Sequence, residues 1–288
     1  SLSRNIRLPD LSDEYLPYLQ FRYRYEGQEQ VITEALGPLQ SEFRLPHNPS
    51  LNYKPSVHGF KFVNSFPGYP LPFSVPALPG AGQVSPAYGL CGGMSSASAD
   101  FLLAGREIPA TTKAPRPGTR LHRYLYRRAI DTFGSFGESL LKVAAWMRLP
   151  QGGLTGIEKR TMDEFTRIRA SLDTHHLVVI ALIYTGADTL AEILKEIWNN
   201  HQVLVYAWSQ VSAEAIELHV YDPNYPLRDD VRIRAERVLL GETKDSQGQT
   251  VPVFGLRASQ WVADQWVRRV YGFFSMPYVP VEPPASLS

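Results

Sequence analysis

The run Leu177-Val178-Val179-Ile180-Ala181-Leu182-Ile183-Tyr184 is continuous, apolar and rich in β-branched residues. Such a run is typical of a strand that is buried on both faces. Four more strand-like segments follow it, at residues 201–208, 215–221, 231–238 and 251–256. The turn signals Asp222-Pro223-Asn224 and Ser246-Gln247-Gly248 separate neighbouring segments. We therefore predict a mostly antiparallel sheet in the second half of the chain.

Helical patterns precede this sheet. The predicted helices cover residues 91–103, 119–147 with a break at Gly134 and Gly137, 156–170, and 190–198. Thr155 with Glu158 forms a capping-box pattern, and Asp188 or Thr189 is expected to cap the helix that follows the first strand. We also expect a short helix over residues 28–36 and a short strand over residues 59–63. Helices followed by an antiparallel sheet indicate the α+β class.

The chain divides into three segments by composition. Residues 1–50 are expected to form an N-terminal extension, residues 51–275 the main domain, and residues 276–288 an extended, proline-rich C-terminal tail. Residues 45–86 are crowded with proline and glycine, which excludes a regular helix there. Because this stretch is aromatic and apolar, we expect an ordered loop on the surface of the domain.

Charge and hydropathy exclude some classes of partner. The chain carries 29 basic and 28 acidic residues, a formal net charge of +1, which does not favour nucleic acid. The arginines of residues 120–128 are interleaved with apolar residues and predict the solvent face of an amphipathic helix. No apolar run approaches the ~18 residues of a membrane span. No signal-peptide core is visible and no internal disulfide can form, which slightly favours the cytoplasm. The compartment and the oligomeric state stay open.

Cys91 is the single cysteine, in Gly89-Leu90-Cys91-Gly92-Gly93-Met94-Ser95. It is a small buried residue, an incidental surface thiol, or a nucleophile at a helix N-terminus. The flanking glycines allow a tight turn and a close approach of other groups. The free N–H groups and the dipole of a helix start stabilise a thiolate. These neighbours favour the nucleophile, provided that a base and an orienting acid exist.

His201 and Asp222 are the predicted partners of Cys91. His201 opens one strand and Asp222 ends the next, so an antiparallel hairpin brings the two side chains together at one edge of the sheet. A carboxylate that orients an imidazole, which in turn activates a thiol, is the relay of nucleophilic catalysis. His219 is a weaker candidate for the base.

A metal or cofactor is not expected. The adjacent His175 and His176, with Asp173 nearby, lack a carboxylate pair to complete a metal site. Phosphate-binding, dinucleotide-binding and serine-hydrolase motifs are missing from the sequence. The position of His58 relative to the cleft stays open.

A helix that begins at a nucleophilic cysteine, followed by a sheet that carries His and then Asp on successive strands, resembles the papain-like cysteine peptidases. The segments Asn200-His201-Gln202-Val203-Leu204-Val205 and Leu218-His219-Val220-Tyr221-Asp222-Pro223-Asn224 resemble the peptidase C39-like branch. The resemblance covers about residues 170–226 and the Cys91 segment. It implies a papain-like fold, with the nucleophile helix packed on the sheet. It also implies a thiol hydrolase that cleaves a peptide or isopeptide amide through a thioester, with Cys91 as nucleophile, His201 as base and Asp222 as its orienting acid.

One position departs from the papain-like pattern. The family usually carries a Gln about six residues before the Cys, whose amide stabilises the oxyanion, and this chain has Ser85 there. Gln83 and Asn64 are the candidate replacements, and Asn64 is preferred because it follows a predicted strand. The Cys91 backbone N–H is the expected second donor. Two alternatives stay open: a catalytically silent papain-like binding module, and an acyltransferase or transglutaminase-like use of the same triad. In each case the expected partner is a peptide or protein.

Overall fold

The computed structural model describes residues 52–67, 87–134 and 137–287, together with the backbone of four strands within residues 6–43. In these parts of the chain it contains six α-helices and a seven-stranded antiparallel sheet. The α+β class is therefore confirmed.

The four N-terminal strands form two small antiparallel pairs. Strand β1 (Ile6–Arg7) pairs with β4 (Glu42–Phe43), and β2 (Tyr18–Tyr25) pairs with β3 (Gln28–Ala35). The helix predicted over residues 28–36 is wrong, because residues 28–35 form β3. This segment contains Val31-Ile32-Thr33, and β-branched residues favour extended backbone over helix.

The described part of the chain just before Cys91, residues 52–67 and 87–90, is mostly irregular. It contains the helical turn α1 (Pro55–His58) and the two-residue strands β5 (Phe66–Pro67) and β6 (Ala87–Tyr88), which pair with each other. The strand predicted over residues 59–63 is wrong. The backbone N–H of Phe60 donates to the Tyr221 hydroxyl at 3.1 Å instead of to a neighbouring strand. The neighbours Gly59 and Phe60 are both buried, whereas a half-buried strand would bury only every second residue.

Five longer helices follow. They are α2 (Cys91–Leu103), α3 (Arg120–Asp131), α4 (Glu138–Met147), α5 (Ile157–Asp173) and α6 (Leu190–Glu196), and a 3₁₀ turn (Ile197–Asn199) continues α6. The prediction for α2 matches its observed bounds. The break between α3 and α4 also lies where it was predicted, and both Gly134 and Gly137 have the positive φ angles that glycine adopts at low cost.

The predicted helix caps have mixed outcomes. Thr189, one of the two residues predicted to cap α6, forms a complete capping box with Glu192. The capping box predicted at Thr155 is wrong: α5 is capped by Gly156 without a side-chain hydrogen bond. The Glu158 carboxylate accepts instead from Gln151 Nε2 and Arg257 Nε, so tertiary contacts have replaced the local cap.

The main sheet has seven strands. In chain order they are β7 (Val178–Ile183), β8 (His201–Ser212), β9 (Ala215–Tyr221), β10 (Val231–Lys244), β11 (Thr250–Val262), β12 (Gln265–Val270) and β13 (Gly272–Ser275). They are ordered β12-β11-β10-β9-β8-β7-β13, with antiparallel pairing throughout. The prediction of a mostly antiparallel sheet is confirmed, while β12 and β13 were not predicted.

The sheet closes on itself at Tyr271. This single residue separates β12 and β13, which pair with opposite edges of the sheet. The Tyr271 N–H donates to the Ile183 carbonyl at the end of β7, 2.7 Å away. The enclosed core contains residues from all these strands, such as Ile180, Val203 and Val220, and α5 packs against it through Phe165 and Ile168. Strand β7 is buried along its whole length, as its sequence predicts.

The residues after β13 lie along α2 and α3 without regular secondary structure. Asp100, buried in α2, accepts hydrogen bonds from the Tyr278 hydroxyl and from the Val281 N–H. Arg128 of α3 donates to the Val279 carbonyl at 2.9 Å. Side chains of the two helices therefore hold the proline-rich tail in place. No helix among the described residues is both long and apolar enough to cross a membrane.

Candidate active site

Cys91 is the first residue of α2 and is half-buried. The preceding residue, Leu90, donates its backbone N–H to Asn64 Oδ1 at 2.6 Å, which attaches the start of the helix to the loop after α1. A Cβ on Gly89 would lie 2.8 Å from Asn64 Nδ2, and a Cβ on Gly92 would overlap the Gln202 side chain. The glycines on both sides of the cysteine therefore allow the loop and the sheet to approach the thiol.

His201 and Asp222 meet at the edge of the sheet, as the sequence predicts. His201 begins β8 and Asp222 follows the last residue of β9. The His201 Nε2 atom lies 2.6 Å from Asp222 Oδ1. The two residues are only 6% and 1% exposed, so water competes little for this contact. The antiparallel pairing of β8 and β9 is what joins these two residues.

The thiol of Cys91 forms a hydrogen bond with the His201 side chain. Burial by itself raises the pKa of Cys91. The positive charge and hydrogen bond of His201 oppose this effect, as do the backbone N–H groups of Gln202 and Gly92, and together they lower the pKa of Cys91 below its ordinary value. The backbone N–H groups of Gly92, near the start of α2, and of Gln202, near the start of β8, thus favour the thiolate form of Cys91.

The pKa of His201 shifts in the opposite direction. Burial by itself lowers it, but the negative charges of Asp222 and Cys91 and the hydrogen bonds to both raise the pKa of His201 to about 10. A lowered thiol pKa beside a raised imidazole pKa shifts the pair toward thiolate and imidazolium. Neither group reaches this state alone, since each shift has the other group among its causes.

Asp222 has further partners that sequence patterns did not reveal. Its Oδ2 atom accepts from Gln260 Nε2 at 2.6 Å, and its Oδ1 atom also accepts from the Asn224 N–H at 2.8 Å. Gln260 is only 1% exposed and in turn accepts from the Tyr184 hydroxyl at 2.8 Å. Hydrogen bonds from Tyr184, just after β7, through Gln260 of β11 therefore fix the carboxylate. Gln260 is a buried glutamine on an otherwise apolar face of its strand. This pattern is the signal in the sequence that could have revealed its role.

The two candidate oxyanion donors have different outcomes. Gln83 lies outside the described residues. Asn64 lies near the site, but its Oδ1 accepts from Leu90 and its Nδ2 donates to Asn224 Oδ1 at 3.2 Å. The Asn64 backbone N–H donates to the Pro223 carbonyl at 3.0 Å. These contacts tie the loop to the turn that carries Asp222. The Cys91 N–H is at the first position of α2, where no earlier carbonyl of the helix can accept it.

The remaining histidines have other surroundings. His219 forms a 2.9 Å hydrogen bond with Ser209, and burial together with the charge of Arg232 lowers the pKa of His219 to about 3. The His58 Nδ1 atom accepts from the Lys54 N–H, and His175 and His176 follow the end of α5. Within the described parts of the chain, no group of three or more His, Cys, Asp and Glu side chains could hold a metal ion.

The chain was compared with family models, with curated proteins and with solved structures. No match was found in any of the three comparisons. The chemistry of this site must therefore be argued from its own residues. The site consists of the Cys91 thiol, the His201 imidazole and the Asp222 carboxylate, each in contact with the next. Gln260 and backbone N–H groups support them.

Proposed function

We propose that this protein is a thiol hydrolase of papain-like fold that cleaves a peptide or isopeptide amide. Cys91 is the nucleophile, His201 the general base and acid, and Asp222 the residue that orients His201. One observation carries the proposal: a single imidazole bonds to the Cys91 thiol and, through Nε2, to the buried Asp222 carboxylate. Because Nε2 is engaged by Asp222, Nδ1 is the nitrogen available to the thiol.

The residues support a two-step reaction. The Cys91 thiolate attacks the amide carbonyl, a C–S bond forms, and the carbonyl oxygen becomes an oxyanion near the start of α2. His201 gives its proton to the leaving nitrogen as the C–N bond breaks, which leaves a thioester on Cys91. Water then attacks the thioester while His201 accepts its proton. The carboxylic acid product and the thiolate–imidazolium pair result.

The fold supports the papain-like part of the proposal. Helix α2 begins at Cys91 and packs beside β7 and β8, and the histidine and the acid lie on successive strands of one antiparallel sheet. Transfer of the acyl group to an amine instead of water would use the same three residues. A hydrolase and an acyltransferase would differ only in the molecule that accepts the acyl group from the thioester. A silent binding module would keep the hydrogen bonds of the triad but would lack a reactive thiol.

The pH dependence of alkylation tests the proposal without a known substrate. Because Cys91 is the only cysteine, iodoacetamide modifies one thiol, and Cys91→Ala provides the blank. We expect rapid alkylation well below pH 8, with a rate profile that reports a lowered thiol pKa. His201→Ala should move this profile to the higher pKa of a buried thiol. An ordinary thiol pKa in the wild type would contradict the proposal and favour the silent module.

A peptide assay completes the test. Wild type and Cys91→Ala are incubated with a mixture of peptides, and the products are identified by mass spectrometry. Cleavage by the wild type alone supports hydrolysis, and cross-linked or transferred products with an added amine support acyl transfer. Equal product patterns from both proteins would count against any enzymatic role of Cys91.

A further inference from the structure

Tyr184 connects the candidate active site to an arginine at its rim. The Tyr184 ring lies nearly parallel to the His201 ring, at an interplanar angle of 18° and a centroid distance of 6.2 Å. The guanidinium of Arg268 lies over the same tyrosine ring, 4.6 Å from its centroid. Since the Tyr184 hydroxyl donates to Gln260, the ring is held in place and Arg268 rests on a fixed platform.

Sheet closure brings Arg268 to this position. Arg268 of β12 pairs in register with Gln260 of β11, the residue that bonds to Asp222. Side chains alternate along a strand, so Arg268 shares a face with Val270, which is buried in the enclosed core. Arg269 points to the opposite face, where its guanidinium stacks on Tyr271 at 4.5 Å. Arg268 is therefore aimed at the end of the sheet that carries the triad.

Arg268 is exposed, and no carboxylate among the described residues forms an ion pair with it. Cation–π stacking engages the face of a guanidinium and leaves the N–H groups at its edge free to donate. A guanidinium in this state forms bidentate hydrogen bonds with a carboxylate or a phosphate, and a peptide substrate supplies the carboxylate. The Asp222 charge does not supply such a partner, because His201, Asn224 and Gln260 already occupy that carboxylate.

We propose that Arg268 binds a carboxylate of the substrate close to the scissile bond, so that the preferred substrates are acidic peptides. This inference rests on the proposed function, since it assigns a substrate class to the same site. The carboxylate belongs either to an Asp or Glu side chain or to a free C-terminus. Tyr184 provides an apolar surface for the adjoining part of the peptide and holds Arg268 at the rim.

Two alkylating agents of similar size but different charge test the role of Arg268. Iodoacetate carries a carboxylate and iodoacetamide does not, and both react with Cys91 alone. We measure the ratio of their second-order rate constants at low ionic strength. Arg268→Gln should lower the iodoacetate-to-iodoacetamide ratio about threefold, and about 0.5 M salt should remove most of the difference. Arg269→Gln is the matched control, because it removes the neighbouring charge from the other face.

The outcomes separate this inference from the proposed function. A reactive, low-pKa thiol whose ratio is the same in wild type and Arg268→Gln would overturn the role of Arg268 and leave the hydrolase proposal standing. A slow thiol with an ordinary pKa would overturn the hydrolase proposal, whatever the ratio. Equal decreases in Arg268→Gln and Arg269→Gln would indicate general surface charge and would also overturn the specific role.

Peptide probes then identify the source of the carboxylate. One pair of N-acetylated peptidyl chloromethyl ketones differs only in Glu against Gln. One pair of N-acetylated dipeptide substrates differs only in a free against an amidated C-terminus. Discrimination within the first pair that is lost in Arg268→Gln supports a side-chain carboxylate. Discrimination within the second pair that is lost in the variant supports a C-terminal one. Equal rates within both pairs would overturn the proposal.

Discussion

His201 and Asp222 are 21 positions apart in the chain, and their side chains meet with 2.6 Å between Nε2 and Oδ1. The same imidazole forms a hydrogen bond with the thiol of Cys91. The imidazole ring of His201 therefore links the carboxylate of Asp222 to the sulfur of Cys91. Because each of these three side chains interacts with its neighbour, the strongest predictions concern the removal of one of them.

Asp222→Asn removes the charge that keeps His201 protonated. The pKa of His201, about 10 in the wild type, should fall, and the pKa of Cys91 should rise because the thiolate loses its cationic partner. At pH 6 we expect iodoacetamide alkylation to slow at least about tenfold, since each unit of thiol pKa changes the thiolate fraction tenfold. Asp230→Asn, which removes a carboxylate paired with Arg228 on the surface, is the control. An unchanged rate profile in Asp222→Asn would contradict the role of this carboxylate.

Gln260→Leu removes the hydrogen bond to Asp222 Oδ2 at nearly constant side-chain volume. The buried carboxylate then lacks one donor, at a cost of roughly 1–3 kcal/mol in the free energy of unfolding. We also expect the pH profile of Cys91 alkylation to move to higher pH, because Asp222 orients His201 less firmly. Tyr184→Phe removes only the donor to Gln260 and should give a smaller shift in the same direction. A loss of stability without any shift of the profile would show that Gln260 is purely structural.

Asp100→Ala leaves the buried guanidinium of Arg128 without its main partner. In the wild type the Asp100 carboxylate accepts from Arg128 Nε at 2.7 Å, and both side chains are almost fully buried. Breaking such a pair by removing one partner costs about 3–5 kcal/mol of unfolding free energy. Asp131→Ala removes the other, more exposed partner of Arg128 and should cost less than about 1 kcal/mol. Urea denaturation of both variants measures this difference. Equal losses of unfolding free energy in the two variants would contradict the prediction.

Gly93→Ala tests the close approach of α2 and α3. A Cβ at this position would collide with the backbone carbonyl of Leu125, which cannot move as a side-chain end can. We expect a loss of about 2 kcal/mol of unfolding free energy. Gly186→Ala is the control, because a Cβ there would meet only the Met147 carbonyl at an ordinary 3.6 Å. Thermal denaturation distinguishes the two variants, and similar midpoints would argue against tight helix contact.

His219 predicts a pH dependence of stability. Its pKa is about 3 in the folded protein and about 6.5 when unfolded, so between these values the unfolded chain binds a proton that the folded chain does not. This contribution makes the folded state less stable as pH falls, by about 1.4 kcal/mol per unit through this window. His219→Gln removes the titration. The difference in unfolding free energy between wild type and variant should therefore depend on pH from 6 down to 4 and be constant above pH 7.5.

Local patterns predicted much of the fold. The start of α2 at Cys91 follows from the glycines around it, and β7 follows from an unbroken β-branched run. Predictions failed where tertiary contacts replaced local ones. In the segment 59–63, Phe60 bonds to Tyr221 instead of pairing with a strand, and Glu158 bonds to Arg257 instead of capping α5. In both cases the deciding partner lies far along the chain, beyond the reach of any local pattern.

The sequence by itself determined the three groups of the candidate site, because a lone cysteine, a strand start and a strand end can be identified from neighbouring residues. Only the tertiary structure brought in Gln260, Tyr184 and Arg268. These residues belong to β11, the end of β7 and β12, and they meet because the sheet closes at Tyr271. Closure depends on the pairing of β13 with β7, which side-chain packing in the enclosed core stabilises and no local sequence pattern encodes.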